Sequence, residues 1–202
     1  MGMRLPPNVR PHKKEVLVFV EGDCEKIYFD RVKELGIIEN ISLKVEKVKG
    51  KNMFVRKMGR IIRSKLTNNS NARFFIVLDM DNGASKQVYD EIKTLLKMER
   101  FAKNPEELIF ITNYSFEFFL LNHKKNYSKP ITSKKDYRMD IKKFFNVKEH
   151  DDSKKSWEAI INKITKADIE QAIKNTKSVS KNIDHNPCCS IDSLFETLKG
   201  IN

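Results

Sequence analysis

Two uninterrupted apolar runs set the expected framework. Val16-Leu17-Val18-Phe19-Val20 has no polar break, and neither does the body of Arg73–Asp79, RFFIVLD. Runs of this kind suit strands buried on both faces, as in the middle of a parallel sheet. They give a first strand at 16–21 and a third at 73–79. Between them, residues 41–48, ISLKVEKV, alternate apolar and polar, the pattern of a half-covered strand nearer an edge. Residues 107–112, ELIFIT, form a fourth. The intervening segments carry helical periodicity. Ile27, Tyr28, Val32 and Leu35 mark a helix over 24–35, with Gly36 as its C-terminal cap. Val55, Met58, Ile62 and Leu66 mark one over 52–66, and Val88, Ile92 and Leu95 or Leu96 one over 84–99. Residues 114–123 read as a helix capped by Asn113 or Ser115. Alternation of strand and helix implies a parallel four-stranded sheet with right-handed crossovers, an α/β fold.

The pattern changes after His123. Residues 124–157 are lysine-rich with few periodic positions beyond IKKFFNV, and suggest an insertion or a small helical subdomain. Trp157, Ile160, Ile161, Ile164 and Ile169 form a helical stripe interrupted near Thr165. Residues 176–188 read as a polar loop. Asn186-Pro187 signals a helix start, and Ile191, Leu194, Phe195 and Leu198 mark a last amphipathic helix over 189–199. The expected organisation is an arm at 1–14, an α/β core at 15–123, and a basic insertion with a helical C-terminal extension packed on the core at 124–202.

Charge sharpens this picture. The chain has 202 residues and a net charge of +12. Residues 44–65 hold nine Lys or Arg against one Glu, and 124–157 hold eleven against five acidic residues. Concentration in two segments favours a polyanionic partner over a generally basic surface, although a lysine-rich host proteome would also give basic surfaces. Arg56, Arg60 and Arg63 share one helix face, either a phosphate grip or a solvated face. Lys51, Lys124 and Lys125 join them as expected nucleic-acid contacts. Cys24, Cys188 and Cys189 form no disulfide framework and no metal-ligand spacing, which suits a reducing cytoplasm. No apolar run reaches the length of a membrane span.

The chemistry concentrates where the two apolar runs end. The first runs into Glu21-Gly22-Asp23 and the second into Asp79-Met80-Asp81. Open α/β folds bind ligands at the carboxyl ends of their strands, although Glu21 could merely start a turn. Side chains at i and i+2 point the same way, so Asp79 and Asp81 can face one mouth. If the first and third strands are neighbours, Glu21 joins them. Crowded carboxylates raise one another's pKa unless a cation sits between them. The hard cation suited to oxygen ligands and phosphate is Mg²⁺, or Mn²⁺ in its place.

This constellation resembles the Toprim fold of topoisomerases, primases and small nucleases, in which a Glu after the first strand and a DxD after the third bind divalent metal. More narrowly it is similar to the RloB-like branch. The branch pattern is matched by Val20–Phe29 (VEGDCEKIYF), by LDMD, by Asn113-Tyr114-Ser115-Phe116-Glu117, by Leu120-Leu121-Asn122-His123, and by Asn186-Pro187 with LFETL. Tyr114 stands where the pattern has Pro, and Cys24 where Thr is usual. The resemblance spans about residues 15–199. It implies a defence-associated protein of bacteria or archaea, and for some related Toprim effectors a nuclease acting beside an ABC- or OLD-type ATPase.

On this basis Glu21, Asp79 and Asp81 form the expected metal cluster. Glu25 either supports it or favours the helix N-terminus. Glu117 is either a fourth carboxylate or a helix-dipole partner. His123 is a proton shuttle, a support for the ligands or a core histidine. Cys24 is a packing residue or, at a helix N-terminus, a nucleophile. Three activities are consistent with these residues: a Mg²⁺-dependent nuclease on DNA or structured RNA such as tRNA, a nucleic-acid-binding subunit with a structural or inactive metal site, and a nucleotide phosphotransferase. The last has least support, because no Gly-rich P-loop is present.

Overall fold

A computed structural model describes residues 13–48, 51–69 and 71–201, apart from the side chains of residues 51–53 and 134. Most of the expected arm, residues 1–12, lies outside the described residues, as does the side chain of Lys51.

The fold is α/β. Its strands are β1 (Lys14–Val20), β2 (Ile41–Lys47), β3 (Arg73–Asp79), β4 (Ile109–Asn113) and β5 (Cys188–Cys189), in the spatial order β2-β1-β3-β4-β5. β1 pairs in parallel with β2 and β3, and β3 with β4. The expected adjacency of the first and third strands therefore holds. The sheet has five strands rather than four. β5 runs antiparallel to β4, matching Thr112 with Cys189 and Asn113 with Cys188. A two-residue strand is too short to leave a period in the sequence, so it lay hidden in the polar loop and the helix start.

The helices are α1 (Asp23–Glu34), α2 (Lys51–Asn68), α3 (Lys86–Met98), α4 (Glu117–Leu121), α5 (Lys134–Phe144), α6 (Lys154–Ile161), α7 (Lys166–Thr176) and α8 (Ile191–Lys199). α2 and α3 cover one sheet face, where Phe54, Met58, Ile62, Ile92 and Leu96 pack on Leu17, Phe19, Phe74, Ile76 and Leu78. Phe54 is fully buried while Val55 and Leu66 are only partly covered, a small rotation of the expected stripe. The other face is built from alternate residues of the same strands, Val16, Val18, Val20, Phe75 and Val77. It packs against α1 and α4 and is continuous with the buried side chains of α5 to α8, including Tyr137, Ile141, Trp157, Ile161, Ile169 and Phe195. The lysine-rich segment therefore carries an apolar side that joins this core.

Several local expectations are revised. Asn113 and Ser115 do not cap α4, whose N-terminal boundary residue is Phe116 with no side-chain cap. Only Glu117–Leu121 is α-helical there, shorter than 114–123. The break near Thr165 is real. Its hydroxyl accepts from the Asp168 N–H and Asp168 accepts from the Thr165 N–H, so a reciprocal cap starts α7. The Asn113–Tyr114 and Asn186–Pro187 peptides are cis. Among the described residues no helix is long and apolar enough to cross a membrane.

Candidate active site

The carboxyl ends of β1, β3 and β4 open on a cleft of about 370 Å³. β1 and the start of α1 contribute Glu21, Gly22, Asp23, Cys24 and Glu25; β3 and the turn after it contribute Asp79 and Asp81; the exit of β4 contributes Tyr114, Ser115 and Glu117. Tyr137, Asp152 and Trp157 come from the C-terminal helical region. The lining so described has seven acidic side chains and no Lys, Arg or His.

Local geometry fixes several of these groups. Glu25 sits at the third position of α1 and accepts from the Gly22 N–H at 3.3 Å, half of a capping box. Thr112 Oγ1 donates to Asp79 Oδ1 at 2.5 Å. Asp81 reaches the cleft by a different route from strand alternation. β3 ends at Asp79, Met80 turns fully inward, and Asp81 and Asn82 take left-handed φ values of 47° and 53°. Asp and Asn tolerate this region better than other side chains, yet it costs about 1 kcal/mol or more per residue. The turn is held from several sides. Met80 N–H donates to Thr112 O at 2.8 Å and Asp81 N–H to Tyr114 O at 2.9 Å. Asn82 N–H donates to Asn113 Oδ1 at 2.8 Å, and Asn186 Nδ2 donates to Asn82 Oδ1 at 2.8 Å. Asn113, expected as a cap, instead ties this turn to the C-terminal loop, donating to His185 O at 2.8 Å.

The carboxylates influence one another. Burial is the main force pushing Glu25 up to about 7, with Glu117 and Glu21 adding to it and hydrogen bonds from backbone N–H groups opposing it. Asp79 is also raised, by desolvation first and then by Glu25 and Glu117, against the Thr112 hydrogen bond. Over the window from 4.5 to about 7 the folded protein therefore binds more protons at Glu25 than the unfolded chain does, so stability falls as pH rises through it. In EDTA, the melting temperature of the wild type should drop between pH 4.5 and about 7 as Glu25 gives up its proton. Glu25→Gln should flatten that slope when melting is followed by circular dichroism. An unchanged slope would contradict the assignment.

Not every expected residue reaches the cleft. His123 lies in the core, 2% exposed. Its Nδ1 donates to Phe119 O at 3.0 Å, which leaves Nε2 to accept from the Tyr28 hydroxyl at 2.9 Å. Burial holds its pKa down at about 4, so it is neutral. It is absent from the cleft lining and lies among core side chains. The Cys24 thiol is pushed up by burial, then by Glu117 and Glu25, which leaves it a protonated packing group. Arg56, Arg60 and Arg63 are exposed on α2. Arg56 lines a separate groove with Asp90 and Glu91 of α3, and Arg63 pairs with Glu99 at 2.9 Å. Lys124 pairs with Asp168 at 2.8 Å, while Lys125 is exposed.

Conversely, sequence reasoning missed Ser115, Tyr137, Asp152 and Trp157. Asp152 has a left-handed φ of 60°, and its Oδ2 accepts from Arg138 and, at 3.3 Å, from the Tyr137 hydroxyl. Trp157 stacks edge-on against His150 with ring centres 4.2 Å apart. The adjacent pair Asp151-Asp152 inside a basic segment was the available signal.

The donor set is all oxygen and fits a hard divalent cation in kind. Among the described residues, however, no group of three or more His, Cys, Asp or Glu side chains is arranged to hold a metal ion. The family model for RloB-like protein matches residues 16–198. Neither a curated protein nor a solved structure matches the chain.

Proposed function

Because the chain belongs to the RloB-like protein family, and because its strand ends meet in an acidic cleft, we propose that it is a Mg²⁺-dependent nuclease, with Mn²⁺ able to replace Mg²⁺. Its substrate would be the phosphodiester backbone of DNA or of structured RNA such as tRNA, and its role antiphage defence in the cytoplasm. The observation that carries this reading is the charge contrast. A chain of net charge +12 attracts polyanions, yet seven carboxylates and no basic side chain line the cleft. A phosphate can enter such a cleft only in company with a cation.

Glu21, Asp79 and Asp81 would hold the cation, with Glu25 and Glu117 beside them. When bound, it would polarise the phosphodiester and lower the pKa of a water molecule. The chain's own groups prepare the site. Thr112 orients the Asp79 carboxylate, the Gly22 N–H orients Glu25, and the left-handed turn presents Asp81. Glu25, with a proton affinity near neutrality, can take up or release a proton at its carboxylate at working pH.

The test is cleavage of labelled plasmid, single-stranded DNA and total tRNA in Mg²⁺, Mn²⁺ or EDTA. Product that needs the metal supports the reading. A second reading, a nucleic-acid-binding subunit with a structural or inactive metal site, is favoured by the lack of a converged ligand group among the described residues. It predicts salt-sensitive binding with no metal-dependent product, with or without an ABC- or OLD-type ATPase as partner.

Backbone binding falls to the exposed arginines on α2. Simultaneous Arg56→Ala and Arg60→Ala substitution should reduce the slope of log affinity against log salt by about 1–2. Lys124→Ala should leave the slope unchanged, since Lys124 is engaged by Asp168. An unchanged slope in the double variant would make that face a solvated surface.

A further inference from the structure

We propose that Ser115 is a catalytic residue whose hydroxyl donates a hydrogen bond to a non-bridging oxygen of the scissile phosphate; this rests on the nuclease reading above. Ser115 lines the cleft at the exit of β4, two residues before Glu117. It is 6% exposed, and its Oγ is buried with no hydrogen-bond partner. A buried hydroxyl left unsatisfied is costly and is normally paired. Its partner is therefore to be sought in the bound state.

The chemistry of the lining narrows the choice of partner. The lining holds no Lys, Arg or His, so side-chain hydrogen bonds to a phosphate there come from neutral groups. Of these the Tyr137 hydroxyl is already engaged by Asp152 at 3.3 Å, while the Tyr114 hydroxyl, the Trp157 indole N–H and the Cys24 thiol belong to side chains that also line the cleft. Ser115 is uncommitted and enclosed, so its hydrogen bond to an anionic oxygen forms away from competing water. The hydroxyl proton stays on Ser115 throughout; no bond to it forms or breaks.

The experiment compares wild type, Ser115→Ala and Ser115→Thr. Mn²⁺ uptake is read by electron paramagnetic resonance. Binding of a hydrolysis-resistant phosphorothioate single-stranded 12-mer with Mg²⁺ is read by fluorescence anisotropy, and hydrolysis of bis(p-nitrophenyl) phosphate with Mn²⁺ by absorbance. Ser115→Ala should take up Mn²⁺ like wild type while oligonucleotide affinity and hydrolysis fall about 10- to 100-fold. Ser115→Thr, which keeps the hydroxyl, should recover most of both. Wild-type binding and hydrolysis in Ser115→Ala would overturn the assignment. So would parallel loss of Mn²⁺ and oligonucleotide, which would give the hydroxyl to the cation. Absence of Mn²⁺ uptake or of hydrolysis in the wild type would overturn the nuclease reading itself, and this assignment with it.

Discussion

Asp79→Asn should lower metal-dependent cleavage by about 10³-fold while raising the melting temperature of the metal-free protein. The two effects have one origin. Asp79 is an acid whose charge is disfavoured by desolvation and by Glu25, Glu117 and Asp81. Asn keeps the shape and keeps an oxygen to accept the Thr112 hydrogen bond, but carries no charge. Removing the charge relieves a raised folded-state pKa, so the gain is small near pH 4 and grows as pH rises above the usual carboxylate range. At pH 8 the metal-free variant should therefore melt above the wild type. Loss of a group that would hold the cation removes charge stabilisation from the reacting phosphate, hence the expected fall in rate. Cleavage at the wild-type rate would exclude Asp79 from the chemistry. Lost cleavage with a lowered melting temperature would mean that Asp79 is structural instead. Stability gained where activity is lost is the signature of a site that trades one for the other.

Trp157→Ala should destabilise the protein by about 3–5 kcal/mol, the cost of emptying a large buried site. Trp157 is 3% exposed, packs on His150, belongs to the apolar cluster shared with the sheet and lines the cleft. It is also the chain's sole tryptophan, so urea unfolding must be followed by far-ultraviolet circular dichroism rather than indole fluorescence. One cooperative transition shifted to lower urea is expected, because a continuous core joins α5 to α8 to the sheet. Two transitions, the first alone sensitive to the substitution, would mean that the helical region folds independently. Cleavage should fall as well, since the variant removes part of the cleft wall.

Legibility in the sequence followed the length of the signal. β1 and β3 could be read because five or more consecutive apolar side chains are needed to fill both faces of a central strand. Their carboxylate exits could be read for the same reason. β5 could not, since two residues carry no period. The route by which Asp81 enters the cleft was hidden too. Strand alternation gave the right destination, but the turn depends on Asn113 and Asn186, which are distant in sequence. Asp152 and Tyr137 were obscured by their neighbours. A segment with many lysines reads as solvated surface, yet Tyr137, Ile141, Phe145 and Trp157 face inward. The His123 environment depends on Tyr28 across the core, a contact that no local pattern encodes.

The order in which the cleft's parts occur along the chain bears on biosynthesis. Glu21, Asp79 and Asp81 emerge early from a ribosome. Tyr137, Asp152 and Trp157 follow later, and the Cys188–Cys189 strand that edges β4 later still. A nascent or prematurely terminated chain would display the acidic strand ends without the wall that encloses them. Enclosure of the cleft is thereby deferred until the helical region has been synthesised and can pack on the sheet.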